Sequence, residues 1–384
     1  MNYDWNQKYN YNFPTLVRFG AGVITELGPH LKDQGLKHVL LVSDPGLAKL
    51  PVFHEVAEMI KSAGLNVTSF SDIAKNPVKS NVLKGAETYH QSKADCIVGF
   101  GGGASMDVAR AIALAINHHR DLFDYDDATG GDRFVTEAVP YFVTVPTTSG
   151  TGSEVGRSTV ISDDVTHEKK ILFSPKLMAR KVFADPQLSM ALPSFVTAAT
   201  GMDALTHNVE AYLAKGFSPM CDGIALEGIR LISQSLEMAT HSPDLESRSK
   251  MMIASLMGAT AFQKGLGVVH SLAHPLSTLV DMHHGLANAI MLPYGMEFNK
   301  SVSSSRMATI AQTIGLKEAS ADSFIDWINQ LNKKLNIPSQ LSTQKIDQSH
   351  LKPLAALAIK DPCWGSNEKP VSESDFLSIY QKSL

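Results

Sequence analysis

Two residue pairs in the middle of the chain share the spacing of one helical turn. Asp203 and His207 are four apart, as are His270 and His274, and His284 follows ten residues later. On a helix, residues i and i+4 project from one face, so each pair offers two donor groups to a common side. One carboxylate and several imidazoles brought together suit a divalent transition metal such as zinc or iron(II). The plainer explanation is a set of unrelated polar residues on solvated helix faces, and for any lone histidine that is the commoner case. The stretch around them, residues 201–288, is poor in charge and rich in Ala, Leu, Met and Gly, which points to burial. A buried Asp needs a cation or several donors to offset its desolvation. As a group, these residues read as a metal site.

A second stretch suits a phosphate. Residues 101–107 read GGGASMD, directly after an apolar run and directly before a segment of helical spacing over about 104–117. Glycines at a strand-to-helix turn let backbone N–H groups approach a phosphate, and the helix N-terminus adds partial positive charge. A tight turn that needs positive φ is the alternative. Neither the GxGxxG nor the GxxxxGK[ST] pattern is met. Residues 146–154, PTTSGTGSE, offer hydroxyls and glycines suited to a cofactor's phosphates and ribose, although ordinary loops are rich in the same residues.

The elements that position these groups change character along the chain. Apolar runs at 16–20, 38–44, 65–70, 95–100 and 141–145 read as strands, with helical spacing over 23–32, 52–63, 81–91 and 104–117 between them. That alternation predicts βαβ units and a mostly parallel sheet, with ligands beyond the carboxyl ends of the strands, where Asp44, Asn76 and the triple glycine fall. Residues 121–137 read as a surface excursion, and 155–165 and 169–173 as further strands. From about residue 192 the pattern is almost wholly helical. The expected division is an α/β domain over 1–192 and an α-helical domain over 193–384.

Composition bounds the rest. With 384 residues, 44% hydrophobic and 19% charged, two domains with ample cores are expected. A net charge of -4 gives no reason to expect a nucleic-acid partner. Three scattered cysteines, Cys96, Cys221 and Cys363, form neither a disulfide framework nor a zinc-ribbon spacing. The polar start lacks a signal-peptide core, and no run approaches the ~20 apolar residues of a membrane span. A cytoplasmic protein without a membrane partner is the expectation.

Four motifs carry a resemblance: GGGASMD at 101–107, PTTSGTGSE at 146–154, GMDALTHNVEAY at 201–212, and GLGVVHSLAHPLSTLVDMHHGLANA at 265–289. With them the chain resembles, over essentially its whole length, the iron-containing (group III) alcohol dehydrogenase family. The resemblance implies an N-terminal dinucleotide-binding α/β domain and a C-terminal helical, metal-binding and catalytic domain, in the architecture of dehydroquinate synthase. It makes Asp203, His207, His270 and His284 the metal ligands, for Fe2+ or Zn2+. His283 is then a neighbour of the ligands or an alternative to His284, and His274 the non-ligand histidine beside the substrate. For the nucleotide it points to Asp44, Asn76, Gly102, Gly103, Thr147, Thr148, Thr151 and Lys169, the last in competition with Lys170. One departure is Ala104, where many members have Ser; Ser105 offers a substitute hydroxyl. A homodimer or larger homo-oligomer is also implied.

The reaction this implies is reversible hydride transfer between a short-chain primary alcohol and NAD, with His274 relaying the proton. Asp44, at a strand end, would accept hydrogen bonds from a ribose hydroxyl and repel a 2′-phosphate, so NADP is less favoured. Two rivals remain: a sugar-phosphate lyase of the dehydroquinate synthase kind, and a non-catalytic nucleotide-binding protein braced by its metal. The first needs cations converging on a phosphate, and few Lys or Arg stand near the metal motifs. Arg157 and Lys264 flank the motifs and either pair with an acidic substrate such as 4-hydroxybutyrate or form ordinary ion pairs.

Overall fold

The computed structural model describes residue 13 and residues 15–384. Among these, two compact units form: one from residues 15–148 and 152–191, the other from residue 13, residues 149–151 and residues 192–384. Residues 149–151 group with the helical unit, where the Ser255 hydroxyl donates to the Gly150 carbonyl at 3.1 Å.

In the α/β unit the elements are β1 (Leu16–Phe19), α1 (Leu27–Asp33), β2 (His38–Val42), α2 (Pro51–Ser62), β3 (Asn66–Phe70), α3 (Lys79–Ser92), β4 (Cys96–Gly101), α4 (Gly103–Asn117), β5 (Tyr141–Pro146), β6 (Ser158–Ser162), β7 (Lys169–Phe173) and β8 (Lys181–Ala184). Six strands form one sheet in the order β1-β8-β5-β4-β2-β3, and every pairing in it is parallel. Both faces of this sheet are covered. Leu40 and Val42 of β2 pack into one hydrophobic cluster while Val39 and Leu41 pack into another, as strict strand alternation requires. β6 and β7 pair separately as an antiparallel hairpin.

Three details differ from the sequence reading. β8 is not among the expected strands, yet it pairs with both β1 and β5. The strand expected over 155–165 is only Ser158–Ser162, because Ser153–Val155 forms a 3-10 turn. Residues 121–137 are not a plain surface excursion: Leu122, Tyr125 and Val135 are buried, and Asp126 bridges to Leu172 of β7.

The helical unit contains α5 (Ser194–Leu213), α6 (Pro219–His241), α7 (Leu245–Ala261), α8 (Val268–Val280), α9 (His284–Thr313), α10 (Ala321–Lys334), α11 (Gln348–Ala358) and α12 (Glu373–Lys382). α5 is its axis, buried from Thr197 to Leu213 apart from Thr200, which is what a helix surrounded by others must be. The start of α9 comes against the α5 backbone: a Cβ on Gly285 would lie 2.2 Å from the carbonyl oxygen of Ala199. No single helix among the described residues is long and apolar enough to cross a membrane.

Candidate active site

Three helices of the helical unit bring the first constellation together. Asp203 and His207 lie in mid-α5, His270 and His274 in the first two turns of α8, and His284 is the first residue of α9. Ligand atoms of Asp203, His270 and His284 all fall within 4.8 Å of one another. The Nε2 of His284 is 3.4 Å from Asp203 Oδ1. At their focus sits the amide of Asn288, one helical turn after His284. Its Nδ2 donates to Asp203 Oδ1 at 2.7 Å and stands 3.1 Å from His284 Nε2 and 3.4 Å from His270 Nε2. A carboxylate oxygen and two ring nitrogens focused on one buried point match the donor set and spacing of a divalent cation. The residues present therefore fit a metal.

His207 is adjacent, outside the three residues whose ligand atoms meet within 4.8 Å, and its buried Nδ1 has no hydrogen-bond partner among the described residues. Its ring stacks on His270 with centroids 4.6 Å apart and also meets Phe262 at 5.2 Å. Burial lowers its pKa to about 4, against the opposing charge of Asp203, so at neutral pH it is uncharged and keeps a lone pair. His283 caps α9 and meets the ring of Phe195 edge-on at 6.1 Å.

Both histidines of α8 are held by carboxylates. His270 Nδ1 donates to Glu210 Oε2 at 2.6 Å, and His274 Nδ1 donates to Asp361 Oδ2 at 2.6 Å. Burial acts to lower the His270 pKa, but the Glu210 hydrogen bond and the charges of Glu210, Asp203 and Asp361 outweigh it and the net shift is upward. Burial likewise acts to raise the Asp361 pKa. His274, the Ser271 hydroxyl at 2.7 Å and the Cys363 N–H at 2.9 Å overcome it and hold the carboxyl well below its usual range. Glu210, Asn288 and Asp361 were not singled out from sequence. The signal for two of them was periodicity: Glu210 lies seven after Asp203, and Asn288 four after His284. Asp361 is 87 residues from His274, with no local signal.

The residues expected to hold the nucleotide divide between the units. In the α/β unit β5, β4, β2 and β3 are neighbours in that order, so the loops at their carboxyl ends lie side by side. Those loops carry Thr147 and Thr148, Gly101 to Gly103, Asp44 and Asn76. The chain order reverses between β2 and β4, the position where such sheets open a crevice. Gly101 has a φ of 144°, and a Cβ there would stand 2.5 Å from the Ser105 oxygen. Gly102 caps α4 without a side chain, leaving a 15-residue helix to point its first N–H groups outward. Thr148 is beside this turn, its Oγ1 3.4 Å from where a Gly102 Cβ would be. Thr151 belongs to the helical unit.

Ser105 does not replace the hydroxyl missing at Ala104. It is buried, accepts from the Asp44 N–H at 2.9 Å and donates to Asp44 Oδ2 at 3.4 Å. Asp44 Oδ1 in turn accepts from the N–H groups of Gly46 and Leu47, both at 2.9 Å. Lys170 is engaged by Glu168 at 2.9 Å and Asp126 at 3.6 Å, whereas Lys169 opens β7 opposite Ser162. The Asp107 of the glycine motif braces the fold: it accepts from the Ser153 hydroxyl at 2.6 Å and the Val160 N–H at 3.2 Å. Glu154, the last residue of the hydroxyl-rich motif, is buried, and burial pushes its pKa up to about 7 against the pull of Arg110.

The two flanking cations follow the ion-pair alternative or stand apart. Lys264 is buried, with Nζ 2.5 Å from Asp222 Oδ1 and 3.0 Å from the Tyr212 carbonyl. Arg157, in the α/β unit, lays its guanidinium 5.3 Å from the centre of the Phe173 ring.

Comparison with known proteins covers most of the chain. A family model described as iron-containing alcohol dehydrogenase matches residues 14–186, and one described as Fe-containing alcohol dehydrogenase family, C-terminal, matches residues 197–384. A 4-hydroxybutyrate dehydrogenase of Cupriavidus necator is 34% identical over 381 residues, 96% of this chain and 98% of its own. The NAD-dependent methanol dehydrogenase of Bacillus methanolicus is 33% identical over 98% of this chain and 100% of its own. Among solved structures, 1,3-propanediol oxidoreductase superposes with a TM-score of 0.93 at 34% identity, covering 98% of this chain and 100% of that one. A sulfoacetaldehyde reductase from Bifidobacterium kashiwanohense, in complex with NAD+, gives a TM-score of 0.88 at 26% identity, with 98% and 99% covered.

Proposed function

Since this chain belongs to the iron-containing alcohol dehydrogenase family and is an alcohol oxidoreductase, we propose that it transfers a hydride reversibly between a short-chain primary alcohol and NAD, beside a divalent cation held by Asp203, His207, His270 and His284. The observation that carries this reading is the meeting of Asp203, His270 and His284 ligand atoms within 4.8 Å. A bound cation supplies Lewis acidity that lowers an alcohol's pKa, and the nicotinamide supplies the hydride acceptor. Carboxylate with imidazole suits iron(II) and zinc alike, and zinc binds more tightly in vitro.

Oxidising a primary alcohol releases a hydride from carbon and a proton from oxygen. His274 is the chain's own group for the proton. Asp361 holds its Nδ1 hydrogen, which leaves Nε2 as the basic atom, and the imidazole is a quarter exposed at 26%. Asp44, Asn76, Gly102, Gly103, Thr147, Thr148, Thr151 and Lys169 are the proposed nucleotide contacts. The open start of α4 suits the pyrophosphate, and Asp44 Oδ2, which among the described residues accepts only at a long 3.4 Å, suits a ribose hydroxyl. Lys169 is the proposed basic contact, in competition with Lys170, which pairs with Glu168 and Asp126.

The proposed substrate is a short primary alcohol or diol. An acidic substrate such as 4-hydroxybutyrate, which the Cupriavidus relative's name indicates for that protein, loses one supporting residue here because Lys264 is paired with Asp222. Initial rates with NAD and NADP on 1-butanol, 1,3-propanediol and 4-hydroxybutyrate, for protein stripped of metal and reloaded with Fe2+ or Zn2+, test the reading. Turnover should require the cation and favour NAD, and Asp44→Gly should narrow that preference. Full activity in the stripped protein would overturn the metal role. Equal kcat/KM with the two cofactors in the unmutated protein would overturn the role of Asp44.

A further inference from the structure

We infer that Glu210 is a positioning residue: it sets the tautomer and heading of His270, and through them the affinity of the centre for its cation. The inference rests on the ligand role proposed above for His270. Glu210 leaves α5 on the face that carries Asp203 and His207, seven and three residues before it. Only 2% of it is exposed. Its Oε1 accepts from the N–H of Val269 at 2.6 Å, and its Oε2 accepts from the N–H of His270 at 3.3 Å and from His270 Nδ1 at 2.6 Å. The remaining N–H of that turn, on Val268, goes to Asn367 Oδ1 at 3.3 Å. The carboxylate fits over the end of α8 because residue 267 has no side chain. A Cβ on Gly267 would stand 2.7 Å from Glu210 Oε1.

An ionised carboxylate can only accept, so in the neutral ring Nδ1 of His270 must carry the hydrogen and Nε2 is left with its lone pair. Nε2 is the atom that faces the Asn288 amide at 3.4 Å, on the side of Asp203 and His284. One side chain of α5 thus caps α8 and orients the imidazole that α8 contributes. Such partners of metal-bound histidines fix the ring and raise its basicity.

A residue that only capped the helix would behave differently on conservative substitution. In Glu210→Gln the side-chain oxygen still accepts from Val269. Its NH2 group faces His270 Nδ1, makes that nitrogen an acceptor and moves the hydrogen to Nε2, where it blocks the lone pair. The test measures Zn2+ affinity of the metal-stripped protein by competition with a chelating indicator, for the unmutated chain, Glu210→Gln and His270→Ala. In parallel, 15N NMR of the metal-free proteins reads the His270 tautomer. Glu210→Gln should weaken Zn2+ binding about 10- to 100-fold, with the hydrogen moved from Nδ1 to Nε2. Unchanged affinity in Glu210→Gln, alongside lost affinity in His270→Ala, would overturn the role of Glu210 and leave the metal centre standing. Unchanged affinity in His270→Ala would overturn the ligand assignment and the inference with it. If Glu210→Gln does not fold, the unmutated metal-free protein decides: a hydrogen on Nδ1 supports the inference and one on Nε2 overturns it.

Discussion

Glu154 ends the hydroxyl-rich loop after β5 with both carboxyl oxygens buried and without a hydrogen-bond partner among the described residues. Burial raises its pKa from 4.5 to about 7. The sign of the consequence follows from linkage. Below the unfolded value both states hold the proton and nothing is lost. As pH rises from there to the folded value, the unfolded chain releases its proton while the folded one keeps it, so stability falls, by roughly 3 kcal/mol once both have ionised. Glu154→Gln should therefore flatten this decline and raise the melting temperature at pH 8 relative to the unmutated protein, while changing it little at pH 4. Parallel melting curves for the two proteins across that range would contradict it. Lys264 supports a second expectation. It shares Asp222 with Arg306, at 2.5 Å and 3.0 Å, below the end of α5. Lys264→Met should lower stability by about 2 kcal/mol, less than the full loss of a buried pair because Arg306 remains. The ratio of kcat/KM for 4-hydroxybutyrate over 1-butanol should not move, and a selective loss on the acid would show that Lys264 serves the substrate after all.

At the scale of elements, the centre depends on how closely α9 approaches α5. His284 opens α9, and the next residue, Gly285, lies where any Cβ would strike the Ala199 carbonyl at 2.2 Å. That contact is backbone, so it cannot yield by a side-chain rotation. Gly285→Ala should push the start of α9 outward and draw His284 and Asn288 away from Asp203. Metal content after dialysis should fall, together with kcat, by ten-fold or more, and the melting temperature should drop. Retained metal and activity would mean that the helix start adapts without moving the ligand. The i, i+4 spacing made Asp203, His207, His270 and His274 visible in the sequence, because a helix turns spacing directly into a shared face. It did not show that the His207 ring would stack on that of His270, since a rotamer depends on neighbours from other helices.

At the scale of the whole molecule, the proposed ligands come from three helices spread over residues 203–284, so a bound cation links parts of the chain that are distant in sequence. Anything that binds only the folded state stabilises it, by about 2.7 kcal/mol at a hundred times Kd. Stripping the protein with a chelator should lower its melting temperature, and added Zn2+ or Fe2+ should restore it in a concentration-dependent way. A melting temperature indifferent to both would contradict a metal bound at this centre.

What the sequence determined by itself was whatever rests on local periodicity and backbone chemistry. Apolar runs alternating with helical spacing specified a parallel α/β sheet. The triple glycine specified a turn that needs φ near 144° at Gly101 and admits no Cβ there. The paired Asp and His residues specified candidate ligands. Tertiary structure decided what depends on partners far along the chain. β8, four residues long and too short to stand out in the sequence, takes its place in the sheet between β1 and β5. Ser105 is drawn from the glycine turn to Asp44, 61 residues away. Glu210 and Asp361 choose which nitrogen of His270 and His274 is left bare, from 60 and 87 residues away. Hydrogen-bond partners of buried groups are set by which helices pack together, and no spacing within a single helix encodes that.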